Sequence, residues 1–176
     1  MRTKFATAAI ICAFGYAPLL AVQAAYASSD MFSSQISGVW VGSGSIYKSH
    51  GAPREPVRCR FSSKTASHAG AIAVRYICLG IDVKFETTGT LKFNKTKQTI
   101  AGKLVTVGVG AFAANGKHQG NNLALRLTGK DKKTGKPLSA TLSISLKGKS
   151  KFASSLTATD PKTGKRFQAF KASFKR

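Results

Sequence analysis

Residues 138–147 read LSATLSISLK. Leu138, Ala140, Leu142, Ile144 and Leu146 alternate with Ser139, Thr141, Ser143, Ser145 and Lys147. Successive side chains of a strand point to opposite faces, so this period of two predicts a strand with one apolar and one polar face. The same alternation extends outward in both directions. Leu123, Leu125 and Leu127 interleave with Asn122, Ala124 and Arg126, and Phe170, Ala172 and Phe174 interleave with Lys171, Ser173 and Lys175. Shorter runs at 36–47, 82–87, 90–94, 99–107 and 152–159 complete a set at steady spacing, with no amphipathic helix between them. One-faced strands in such a series suit an antiparallel meander. A sheet of that size leaves two edges unless it closes. The expectation is an all-β, antiparallel up-and-down barrel of about eight to ten strands.

Two of the runs carry cysteines. In PVRCRFSS (56–63), Val57, Cys59 and Phe61 share a face opposite Arg58 and Arg60; in AIAVRYICLG (71–80), Ile72, Val74, Tyr76 and Cys78 share another. Folding the pair back through KTASHAG so that Cys59 faces Cys78 also sets Phe61 opposite Tyr76 and Val57 opposite Gly80. A register that joins the sulfurs therefore aligns the apolar faces as well, and a structural disulfide is expected. No C-x-x-C is present, and His50, His68 and His118 fall in stretches that read as polar, glycine-bearing loops, so no metal is expected.

The N-terminus has the layout of a secretory leader. Arg2 and Lys4 precede an apolar, alanine-rich stretch from Ala6 that ends in Ala25-Tyr26-Ala27 before Ser28-Ser29-Asp30. Pro18 and Gln23 interrupt the run of about 20 apolar residues that a spanning helix requires. Residues 1–27 are therefore expected to be a signal peptide and 28–176 a single barrel domain, periplasmic or secreted, with no transmembrane segment after cleavage. Removing the leader leaves Cys59 and Cys78 as the cysteines, and 26 basic against six acidic residues, a net charge of +20.

D-x-K-T-G-K occurs twice, at Asp131–Lys136 and Asp160–Lys165. Asp at a turn start, Pro161 at the next position and Gly135 and Gly164 near the end are hairpin-loop chemistry. Turn formation does not call for the lysines. From Lys117 onward fifteen Lys or Arg stand against Asp131 and Asp160 alone. A mixed-sign surface would solubilise equally well without self-repulsion, so the excess points to an anionic partner. Lys130, Lys132, Lys133, Lys136, Lys162, Lys165 and Arg166 are the candidate anion-binding residues. Nucleic acid ranks below envelope polysaccharide, lipopolysaccharide or an anionic lipid surface, because the aromatic residues fall on the inward phase of the strands rather than among the lysines.

No carboxylate pair, G-x-S-x-G, H-E-x-x-H or phosphate-loop pattern occurs, so neither catalysis nor a cofactor is expected. VGVGAFAANG (107–116) reads as a bulged strand with its turn, or else as an apolar lip at a barrel mouth that admits a lipid chain or touches a membrane.

ISGVWVGSGSI (36–46) resembles the opening strand of the calycins, the lipocalins and avidins, in which a Gly-x-Trp heads the first strand and the Trp plugs one end of the barrel. That resemblance implies a plug role for Trp40, with Phe61 and Tyr76 plugging or lining the interior. Trp40 is the only Trp, whereas the avidin biotin pocket uses several, so no biotin site is implied. Residues 37–80 are similar to a group of small exported alphaproteobacterial proteins of unknown function. The S-G-x-W-V strand is also similar to that of periplasmic metalloprotease inhibitors, which implies an inserting arm at 28–32. The leading expectation is a non-catalytic exported protein that binds an anionic envelope component through its basic loops. A lipocalin-like carrier of a small apolar ligand and a protease inhibitor are the alternatives. Because a barrel of about eight strands can be filled by its own side chains, a filled interior is expected.

Overall fold

A computed structural model describes residues 32–66 and 70–176. The leader at 1–27, most of the arm at 28–32 and His68 lie outside the described residues. Ten strands follow one another: β1 (Gly38–Ile46), β2 (Glu55–Thr65), β3 (Ala71–Leu79), β4 (Lys84–Asn94), β5 (Thr99–Thr106), β6 (Gly110–Gln119), β7 (Asn122–Lys130), β8 (Pro137–Leu146), β9 (Lys151–Thr159) and β10 (Arg166–Lys175). Each pairs antiparallel with its neighbours in sequence, and β1 pairs with β10, so the sheet is a closed up-and-down barrel.

The expected hairpin register is the observed one. Cys59 lies opposite Cys78 and Phe61 opposite Tyr76 on β2 and β3. The two sulfurs are joined, and both cysteines are buried. The runs at 82–87 and 90–94 form one strand, β4, instead of two. Gly89 carries it past β5 without interruption, because a Cβ there would stand 2.1 Å from the Lys103 carbonyl oxygen.

Two readings are corrected. Residues 32–36 form one helical turn, too short to be seen as a helical period, whose Phe32 and Ile36 point to the same side (i, i+4). Both are 1% exposed, and burying two such side chains contributes about 1.5–3 kcal/mol each. The Ile36 carbonyl accepts the Trp40 indole N–H (2.9 Å) and the Ser63 hydroxyl (2.7 Å), which fixes the turn across the barrel end. Phe32 is thus part of the core, not the tip of a free arm. His118 lies on β6 rather than in a loop, in phase with Phe112 and Ala114, and is fully buried against Phe32 and Phe93.

Candidate functional site: an apolar lumen beneath a basic mouth

Strand direction gives the barrel two unlike ends. The closed end holds the 32–36 turn and the start of β1. Trp40 packs edge-on against Phe152 (5.0 Å), Phe152 stacks on Phe174 (4.4 Å), and Phe61 meets Phe152 and Tyr76 at 5.5 Å. The Arg176 guanidinium covers the Trp40 ring at 4.3 Å and donates to the Ser37 and Lys149 carbonyls. Trp40 is thus fully buried within the closed end.

Above this floor the barrel is hollow. A cavity of about 270 Å³ is lined by Phe61, Tyr76, Phe85, Leu142, Leu156 and Phe170, among other chiefly apolar side chains. The filled interior expected from sequence is not found. Ten strands enclose a wider bore than eight, and the lining includes small groups such as Ala140 and Ala169. Exposure grades along the axis on the β8–β9 side, whereas Val57, Cys78 and Leu127 on β2, β3 and β7 stay buried toward the same end. On β8, Leu138, Ala140 and Leu142 are half-buried while Ile144 and Leu146 are buried; on β9, Leu156 is half-buried while Phe152 is buried. On these two strands the accessible residues are those nearer the β7–β8 and β9–β10 loops, so the lumen opens toward that end along the β8–β9 side.

Both D-x-K-T-G-K loops stand at this open end, because each follows an odd-numbered strand. They share one geometry. The Asp131 carboxylate accepts the Lys133 and Thr134 amides (3.0 and 2.7 Å), and the Asp160 carboxylate accepts those of Lys162 and Thr163 (2.8 and 3.4 Å). Gly135 and Gly164 take φ of 70° and 68°, the left-handed turn conformation that favours glycine. These hydrogen bonds, led by the Thr134 amide on Asp131 and the Lys162 amide on Asp160, hold both carboxyls below the ordinary aspartate range. The His50 amide also donates to Asp160 (3.1 Å), which ties the β1–β2 loop to the β9–β10 loop. The Lys132 amide donates to the Val109 carbonyl (2.7 Å), which ties the β7–β8 loop to the apolar lip.

The two aspartates are thus occupied by their own turns. Lys130, Lys132, Lys133, Lys136, Lys162, Lys165 and Arg166 are all exposed, and none forms an ion pair within 4 Å among the described residues. At the same end Glu55 pairs with Lys48 (3.2 Å), and on β4 Glu86 pairs with Arg75 (2.8 Å). The mouth therefore keeps a surplus of unpaired cations beside an apolar opening.

Phe61 and Tyr76 line the lumen, whereas Trp40 lies beneath it. Burial pushes the Tyr76 phenol far above its ordinary value, and the neighbouring Ser154 hydroxyl offsets little of that. His118 is held below the ordinary imidazole range by desolvation, and neither of its ring nitrogens has a hydrogen-bond partner among the described residues. The residues that sequence reasoning missed are the lumen-lining aliphatics of the mouth half. Their phase was visible, but not the space between them. A larger depression of about 510 Å³ involves β6–β10 and includes the outward-phase Ser143, Ser155 and Lys171.

Fold and site together define a closed ten-strand barrel with an apolar lumen and a cationic rim. No known family model matches the chain, and no curated protein matches it. Among solved structures it is similar to Rv2717c from M. tuberculosis, with a TM-score of 0.64 and 14% identity over 84% of this chain and 96% of that one. At that identity the likeness is one of fold. No helix among the described residues is long and apolar enough to cross a membrane.

Proposed function

We propose that this is an exported, calycin-like, non-catalytic binding protein for a single-chain anionic amphiphile. The apolar chain lies in the lumen and the head group sits among the basic mouth loops. One observation carries the reading: the apolar lumen opens toward the end where seven cations of the loops and adjoining strand ends form no ion pair among the described residues. Either feature alone would support a narrower function, an apolar-ligand carrier or a surface for envelope polysaccharide or lipopolysaccharide. Their coincidence at one mouth favours a ligand with both parts. The volume is slightly below the range of about 300–1,000 Å³ usual for small-molecule pockets, which suits one short chain better than a two-chain lipid.

Titration calorimetry with dodecanoate below its micellar concentration tests this. Dodecanoate should bind at one per barrel and more tightly than dodecanol. Replacing Lys132, Lys133, Lys162 and Lys165 with Gln should weaken binding and flatten its salt dependence while leaving the circular dichroism unchanged. Absence of binding, or equal affinity for the neutral alcohol, would refute the reading. Binding of lipopolysaccharide by the same loops with no dodecanoate uptake would support the surface function instead.

A further inference from the structure

The mouth also carries a feature that ligand binding does not use. Ile81, in the β3–β4 loop, is 85% exposed, and Val107, in the β5–β6 loop, is 68% exposed. Leu79 and Val105, at the adjoining ends of β3 and β5, are also exposed and extend this apolar surface down the outer wall. Because β4 pairs directly with β5, the two loops are neighbours on the rim. The Val107 amide donates to the Glu86 carbonyl on β4 (2.9 Å), and the Gly80 amide donates to the Val83 carbonyl (2.8 Å), so both tips are held by backbone hydrogen bonds. Aliphatic side chains this exposed at two neighbouring turn tips, continuous with Leu79 and Val105, form an apolar patch of the kind that marks an interaction site.

Cations surround this corner. Lys84 and Arg58 lie opposite Leu79 on the two strands that flank it. Through the Lys132–Val109 hydrogen bond, the lip adjoins the first basic loop. The carboxylates nearby are Glu55 and Glu86, both ion-paired, and Asp82. We infer that the mouth docks on an anionic phospholipid bilayer, with Ile81 and Val107 inserted to the acyl boundary and the rim lysines at the level of the phosphates. Charge complementarity and patch size select this partner. Two turn tips fall far short of the roughly 1,000 Å² that a specific protein interface buries. A few aliphatic anchors combined with a cationic rim are instead sufficient for reversible attachment to an anionic membrane. Docking in this pose would bring the lumen opening to the membrane surface, although the contact itself does not depend on an occupied lumen.

Flotation with vesicles tests the inference, comparing equimolar phosphatidylglycerol and phosphatidylcholine with phosphatidylcholine alone. The full chain should bind the anionic vesicles and not the neutral ones. A double variant, Ile81→Ser with Val107→Ser, should lower the partition coefficient by about tenfold or more. The control is Val39→Ser with Val41→Ser, which removes exposed valines on β1 near the closed end and should bind as the parent does. Equal binding by the Ile81/Val107 variant, or equal loss in the Val39/Val41 control, would overturn the proposal. So would a parent dimer that the Ile81/Val107 variant converts to a monomer, because the partner would then be a second copy. The variant should also keep the parent's affinity for dodecanoate. If the parent takes up no dodecanoate yet loses vesicle binding with Ile81 and Val107, the amphiphile reading fails and docking stands.

Discussion

A chain-length series of linear carboxylates probes the lumen most directly. A methylene takes up roughly the 30 Å³ share of a liquid water molecule, so a cavity of about 270 Å³ holds about nine of them. Each methylene moved from water into that space contributes about 0.8 kcal/mol, or about fourfold in Kd. From hexanoate upward, Kd should fall about fourfold per added carbon. It should then level off near decanoate, at about nine methylenes, where the chain outgrows the lumen. Titration calorimetry on the purified protein, with every ligand below its micellar concentration, gives the curve. The structural perturbation is Ala140→Phe, which places a ring on an inward position of β8 in the mouth half. In that variant the break should move to shorter chains, while short carboxylates keep their affinity. A slope that continues unbroken to hexadecanoate would refute the argument, because the chain would then lie along an outer surface. So would a break that Ala140→Phe leaves in place.

Three further outcomes follow from the packing. Replacing Cys59 and Cys78 with Ala frees a loop of sequence separation 19 and should cost about 3 kcal/mol in urea unfolding. A loss below ~1 kcal/mol would mean that the hairpin persists in the unfolded chain. Trp40→Phe removes one of two hydrogen bonds to the Ile36 carbonyl, which keeps the Ser63 hydroxyl, so it should cost little beyond about 1 kcal/mol. Trp40→Ala leaves a cavity beside Phe152 and should cost about 3–5 kcal/mol, and equal costs for the two variants would deny the indole its packing role. Stability should also fall with acid in two windows. His118 is held below its ordinary 6.5, so the unfolded chain binds the proton first; stability is full above that pH and declines beneath it, by at most about 1.4 kcal/mol per pH unit. The carboxyls of Asp131 and Asp160 are held below their ordinary 3.8, so their contribution is present above that pH and is lost as pH falls further. Urea midpoints from pH 8 to 3 would separate the two windows, and His118→Leu should abolish the upper one alone.

Which features could be read from sequence depended on the range of the interaction. The Cys59–Cys78 register was readable because the period of two and the sulfur pairing impose the same alignment. The shared end of the two D-x-K-T-G-K loops was readable from strand parity. The 32–36 turn was not, because Phe32 and Ile36 are its only apolar pair and five residues carry too little periodicity to separate a helix from a strand. His118 was read as a loop residue because Gly116, Lys117, Gln119 and Gly120 surround it in sequence. The phase it shares with Phe112 and Ala114 was the available signal. The hollow lumen was out of reach for a different reason. Local pattern tells which side chains point inward, but the distance between opposite walls is set by the number of strands around the ring.

Nine of the ten strand ladders join neighbours in sequence, and only the β1–β10 ladder unites distant parts of the chain. During folding the nine can form as successive hairpins, each closing a short loop, whereas the last must wait for both margins to exist. A sheet not yet closed there carries two unpaired edges, which can template aggregation. Lys171 and Lys175 stand on one of those edges, directly opposite Ser45 and Val41 of the other. Like charges on identical margins repel when two copies meet, so these lysines discourage pairing between molecules while leaving the intramolecular match free to form. Part of the basic excess thus lies at the one seam that joins distant parts of the chain, where like charge disfavours pairing between copies.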